Sequence, residues 1–147
     1  MQSDGYARVL SKLIDYINSN YSLPVKGKLL FDELSTSQDS ICLATATSEG
    51  SVERKADVTG LYMLGIVRVS INYRVMKPRR GIDDLTHIGA LDSLMNFIIE
   101  RYHQIKDETF YIDIVKRVSS PVLEATYSTG TKDYSCNFEI TYERKVN

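Results

Sequence analysis

The sequence has little of what marks the commonest small-protein classes. Only two cysteines occur among 147 residues, Cys42 and Cys136, and they form no CxxC pair. One such pair is a poor disulfide framework, so both are expected to be buried free thiols of a cytosolic product. The formal net charge is −1. A field that weak does not drive a chain onto nucleic acid or an anionic membrane. No apolar run approaches the roughly 18 residues of a membrane span. The start, Met1-Gln2-Ser3-Asp4-Gly5, has no basic region leading into an apolar stretch, so no secretory signal is expected.

The motifs of common chemistries are absent too. There is no GxxxxGK[ST] loop, no GxGxxG after a strand, and no GxSxG elbow. The two histidines, His87 and His103, lie sixteen residues apart. On one helix that is about 24 Å at 1.5 Å per residue, too far to share a metal. Asp83, Asp84 and His87 fall within one helical turn and could bind a metal or relay a proton. Helix-start charge beside an exposed histidine explains them more simply. No nucleophile, base and orienter group together, so neither an enzyme nor a cofactor is expected.

What is present is patterning. Hydrophobic residues make up 43% and charged residues 25%, ordinary values for one globular domain with a real core. Tyr6, Val9, Leu10, Leu13, Ile14 and Ile17 form the apolar stripe of a helix over about 3–20, with Ser3 or Asp4 as cap. A second stripe, Ile88, Leu91, Leu94, Met95, Ile98, Ile99, Tyr102 and Ile105, predicts a helix over about 84–106. Residues 25–34 are mixed. Short β-rich runs follow at 41–47 and 52–58, the latter a polar strand or extended arm.

Residues 61–75 give the clearest strand. Odd positions from Leu61 to Val75 are apolar apart from Gly65, and Arg68, Ser70, Asn72 and Arg74 alternate with them. Fully extended it approaches 50 Å at about 3.3 Å per residue, so it either bends at Gly65 or projects from its domain. At its start the even positions Tyr62, Leu64 and Ile66 are apolar as well. Both faces there need cover, from a helix or from a neighbouring subunit. Strands at 110–127, interrupted near Pro121, and at 134–142 complete the pattern. Hairpins dominate, so the fold class is α+β: a single domain, residues 1–147, with a mainly antiparallel sheet and both helices on one face.

Among the ten tyrosines, Tyr6, Tyr73, Tyr102, Tyr134 and Tyr142 fall on core stripes. Tyr16, Tyr62 and Tyr127 fall off them and are interface candidates. Arg68, Arg74, Lys77, Arg79 and Arg80 gather positive charge near the end of the long strand. A solvated face explains them, and subunit contact is the better functional reading because arginine is enriched at interfaces. The candidate subunit or tube interface is therefore Tyr62, Leu64, Ile66, Arg68, Arg74, Arg79 and Arg80.

The order of elements resembles the tail terminator, or tail completion, proteins of long-tailed bacteriophages, including those described as minor capsid proteins. The resemblance runs along nearly the whole chain. It is carried by the N-terminal helix, Asp39-Ser40-Ile41-Cys42-Leu43-Ala44, the turn at Gly50, and the long strand before the second helix. The closing stretch matches best: Ser120-Pro121-Val122-Leu123, Gly130, then Asp133 to Tyr142. The resemblance implies a virion protein forming a ring, typically a hexamer, at the head-proximal end of the tail tube. Such a ring stops tube polymerisation and offers a head-joining surface to a connector or neck protein. DNA passes through its lumen unread. The implied location is the virion tail or neck, and the host cytoplasm during assembly. The charged stretch 51–57 departs from the pattern. Alternatives are a head-completion or neck protein of the same particle, or a small non-catalytic ligand-binding module.

Overall fold

A computed structural model of the chain describes residues 5–46, 51–77 and 84–146. Helix α1 (Tyr6–Asn20) precedes β1 (Leu30–Phe31), β2 (Ser40–Thr45), β3 (Ser51–Lys55) and β4 (Tyr62–Val75). Helix α2 (Asp84–Arg101) runs into a short 3-10 turn, Tyr102–Gln104, and β5 (Phe110–Thr126) and β6 (Lys132–Lys145) close the chain. The strands form one sheet in the order β1-β2-β4-β6-β5, with β3 pairing β4 beside β2. Every pairing is antiparallel except the two-residue contact of β1 with β2. The α+β class and the mainly antiparallel sheet are as the alternation predicted.

Period-2 patterning sorts the two faces. Val67, Val69, Ile71 and Tyr73 of β4 pair with Ile140, Phe138, Cys136 and Tyr134 of β6, and all eight are buried. Both helices cover this face. α1 contributes Val9, Leu10, Leu13 and Ile17, and α2 contributes Leu91, Leu94, Met95 and Ile98, to the same core. Burying such side chains stabilises by about 1.5–3 kcal/mol each. Tyr16 and Tyr21 of the α1 segment meet Phe97 of α2 at 5.9 and 4.8 Å between ring centroids. Arg117 of β5 donates to Asp92 (2.7 Å) and Asn96 (2.5 Å), fixing α2 over that edge of the sheet.

Several details differ from the sequence reading. α1 starts at Tyr6 with Gly5 as N-cap and no side-chain capping bond, and the expected caps Ser3 and Asp4 lie outside the described residues. β4 does not project as an arm. All fourteen of its residues pair with β6, while β3 and β2 divide its other side. β5 continues through Pro121, which an edge strand tolerates because an outward position loses no ladder bond. Four register irregularities absorb the misfit. Cys42 and Cys136 are buried and unpaired, and burial pushes the Cys136 thiol up to about 12.

Candidate assembly interface

The sheet face opposite the helices is built in rows set by register. One row crosses Arg54, Leu64, Glu143 and Tyr111, and the next crosses Val52, Ile66, Thr141 and Ile114. A charged row of Arg68, Glu139 and Lys116 bounds them, and beyond it come Ser70, Asn137 and Ser119. The first two rows thus mix Leu64, Tyr111, Val52, Ile66 and Ile114 with Arg54, Glu143 and Thr141, and the next two are charged and polar. In the second row Val52 is 68% exposed, Ile114 49% and Ile66 42%. No described helix covers them. Of the apolar even positions that demanded cover in the sequence, Tyr62 and Ile66 are exposed among the described residues and Leu64 is half-buried. Val52 and Ile66 are direct register partners, and adjoining exposed apolar side chains, unlike scattered single ones, mark interaction sites.

The predicted residues separate into three groups. Tyr62, Leu64, Ile66 and Arg68 are consecutive outward positions of β4, and Arg68 meets Glu139 at 3.2 Å while more than half exposed. Arg74 lies at the far end of the same face, engaged within the chain. It donates to both carboxylate oxygens of Asp133 at 2.8 and 2.9 Å and to the Ser35 carbonyl at 3.4 Å. Its guanidinium stands 5.7 Å from the Tyr127 ring, and the Tyr127 hydroxyl donates to Asp133 at 2.8 Å. Burial would raise the Asp133 carboxyl, but hydrogen bonds from Arg74 and Tyr127 outweigh it and hold the group below the usual carboxylate range. Arg79 and Arg80 lie outside the described residues.

The sequence reading missed Val52, Tyr111 and Ile114. Val52 sat in a stretch read as polar. Tyr111 and Ile114 are three residues apart, a spacing that looks wrong for one strand face. A bulge between Ile112 and Ile114 restores them to it. Behind the patch, the core-facing Glu53 of β3 is held by Arg144 at 2.7 and 2.8 Å and by the Tyr142 hydroxyl at 2.6 Å. The hydrogen bond from Arg144 is the main reason the Glu53 carboxyl sits below its ordinary value. β3 is thereby anchored under the patch.

A second apolar surface lies on the helix side. Between α1 and β1 runs a groove of about 430 Å3, lined chiefly by Tyr6, Leu10, Ile14, Leu29, Leu30 and Phe31. Its signal was the three-residue run Leu29-Leu30-Phe31 inside the stretch with no clear period.

Of the Asp83, Asp84 and His87 group, Asp84 and His87 fall among the described residues. Asp84 accepts from the Tyr134 hydroxyl at 2.6 Å and Lys132 at 2.9 Å, joining the start of α2 to β6. His87 is half-buried rather than exposed. Its ring lies 5.7 Å from that of Tyr73 and 5.4 Å from that of Tyr134, and its buried Nε2 has no hydrogen-bond partner among the described residues. Asp83 is outside the described residues. No group of three or more His, Cys, Asp or Glu side chains that could hold a metal occurs among the described residues. No described helix is long and apolar enough to cross a membrane.

No protein-family model matches the chain, and no curated protein is similar to it in sequence.

Proposed function

We propose that this chain is a structural subunit of a phage tail or tail-like particle. It forms a homo-oligomeric ring, a hexamer in the resembled family, at the head-proximal end of the tail tube. The ring ends tube polymerisation and presents the surface that receives the connector or neck protein, with DNA passing through the lumen unread. Its role is assembly rather than catalysis. The observation that carries the reading is the uncovered apolar end of the open sheet face, centred on Ile66 and Val52. A sheet whose β4 is hydrogen-bonded along its whole length, with the exposed Val52 and Ile66 side by side, suits docking onto another protein surface, because little backbone ordering is needed on contact. The near-zero net charge allows identical copies to pack closely.

Tube polymerisation tests this reading. Tail tube protein polymerised with the chain present should give shorter tubes carrying the chain at one end only. Tubes of unchanged length with no bound chain would refute it.

The groove between α1 and β1 favours a second reading, a small non-catalytic binding module. That reading predicts a monomer that takes up an apolar ligand there.

A further inference from the structure

The side of β4 away from β6 is shared by β2 and β3. β1 covers part of β2, whereas the outer edge of β3 meets no strand among the described residues. The register fixes what that edge offers. The Ala56 amide donates to the Tyr62 carbonyl at 2.9 Å. Bonded pairs of an antiparallel ladder recur every second residue, so Arg54 bonds Leu64 and Val52 bonds Ile66. The amides and carbonyls of Ser51, Glu53 and Lys55 therefore point out of the sheet. They find no backbone partner among the described residues. Groups spaced in this way match another extended backbone.

The side chains at the edge select the chemistry of that backbone. Val52 and Arg54 stand on the open face, both exposed. Arg54 forms no ion pair among the described residues. Glu53 lies on the other face, its charge met by Arg144. Glu143 and Lys145 sit on β6, beyond β4, and Asp57 lies past the end of β3 in a turn with Thr59 and Gly60. What borders the edge itself is one apolar side chain, Val52, and the cations Arg54 and Lys55.

A second copy fits this edge badly. Two β3 strands paired about Glu53 set Val52 against Arg54 and Glu53 against Glu53. A two-residue slip one way sets Arg54 against Arg54, and the other way leaves only Ser51–Glu53 paired. β1 is two residues long, and the register irregularities of β5 leave no stretch as long as β3 in step.

We propose that the outer edge of β3 takes up an extended segment of another protein as an added antiparallel strand. That segment carries an acidic side chain beside Arg54 and, two residues later, an apolar one beside Val52. The antiparallel sense continues the ladder of β3 with β4 and is the firmer pairing. The proposal goes beyond the ring reading and does not depend on it.

A capped pentapeptide of threonines, with glutamate second and valine fourth, tests it by amide exchange in the full-length protein. At saturating peptide the Glu53 and Lys55 amides should exchange about tenfold more slowly, while those of Val52 and Arg54, already bonded to β4, change little. N-methylation of the third peptide residue should weaken binding about tenfold, because its amide faces Glu53. N-methylation of the fourth, whose amide points away, should be tolerated. Arg54→Glu should reverse the preference toward a peptide with lysine second. No protection of Glu53 and Lys55, equal effects of the two methyl groups, or an unchanged preference in Arg54→Glu would each overturn the proposal. Slow exchange of both amides in the free protein at every concentration would overturn it too, because the edge is then closed within the chain. Slow exchange that disappears on dilution would give the edge to a second copy and overturn it as well. The tube polymerisation assay decides the ring reading separately in every case.

Discussion

Tyr142 of β6 lies across Gly65 of β4 and donates its hydroxyl proton to Glu53 of β3, 2.6 Å away. Gly65 sits where the apolar alternation of β4 breaks, and its bare backbone is the space the tyrosine ring occupies. A Cβ there would fall within 3 Å of ring atoms of Tyr142. Three strands are thus fixed by one aromatic side chain.

Gly65→Ala should therefore destabilise the protein by about 1–3 kcal/mol, the usual cost of overpacking a filled site. Urea unfolding measures it. Combining Gly65→Ala with Tyr142→Leu should cost less than the sum of the single changes, by more than about 0.5 kcal/mol, because the two residues share one space. Strict additivity would mean that the ring does not depend on the glycine.

Glu53 links the same contact to pH. Arg144 first, and the Tyr142 hydroxyl with it, favour the ionised carboxylate against the opposing effect of burial, so its folded-state pKa is depressed. A depressed carboxyl contributes stability that is present above its unfolded pKa and is lost as pH falls through the folded value. Glu53→Gln should cost about 1–3 kcal/mol at pH 7, where the charge-assisted bonds are intact. The gap between wild type and variant should then narrow below about pH 4. Unfolding midpoints across pH 2.5–7 would show it. A gap that stays constant with pH would contradict the assignment.

The two arginines at opposite ends of the open face should behave differently. Arg74 is spent on Asp133, Tyr127 and Ser35, so Arg74→Ala should lower stability by about 1–3 kcal/mol with little effect on assembly of the remaining folded protein. Arg68 is mostly exposed, and its ion pair with Glu139 is worth at most about 1 kcal/mol. Arg68→Ala should leave stability within about 0.5 kcal/mol and act on assembly instead. Thermal unfolding paired with sedimentation separates the two effects, and identical behaviour of the variants would contradict the distinction.

These contrasts mark what one sequence could and could not disclose. The strict alternation of β4 and β6 specified one core face and one open face. The apolar positions 62, 64 and 66 announced a second surface needing cover. Both follow from local periodicity. The pairing of Arg74 with Asp133 did not, because it depends on a register between strands that are 59 residues apart. The bulge that aligns Tyr111 with Ile114, and the parallel contact of β1 with β2, are likewise set by tertiary packing. His87 looked like an exposed residue of a helix start, yet β4 and β6 supply the two tyrosine rings that enclose it.

That enclosure makes a prediction of its own. The buried Nε2 of His87 has no hydrogen-bond partner among the described residues. Exchanging it for an aromatic carbon relieves a desolvated polar atom. His87→Phe should leave stability unchanged or raise it by up to about 1 kcal/mol. A loss above about 1 kcal/mol in urea unfolding would show that the imidazole makes a needed polar contact.

The most direct test of the assembly account is the solution mass of the purified protein, measured by light scattering across a concentration range with and without tail tubes. The wild-type chain should reach a ring-sized mass alone or when tubes are added. Ile66→Lys, which charges the centre of the apolar end of the sheet face, should stay folded and fail to bind tubes. A wild-type chain that remains monomeric at every concentration and ignores the tubes would contradict the account.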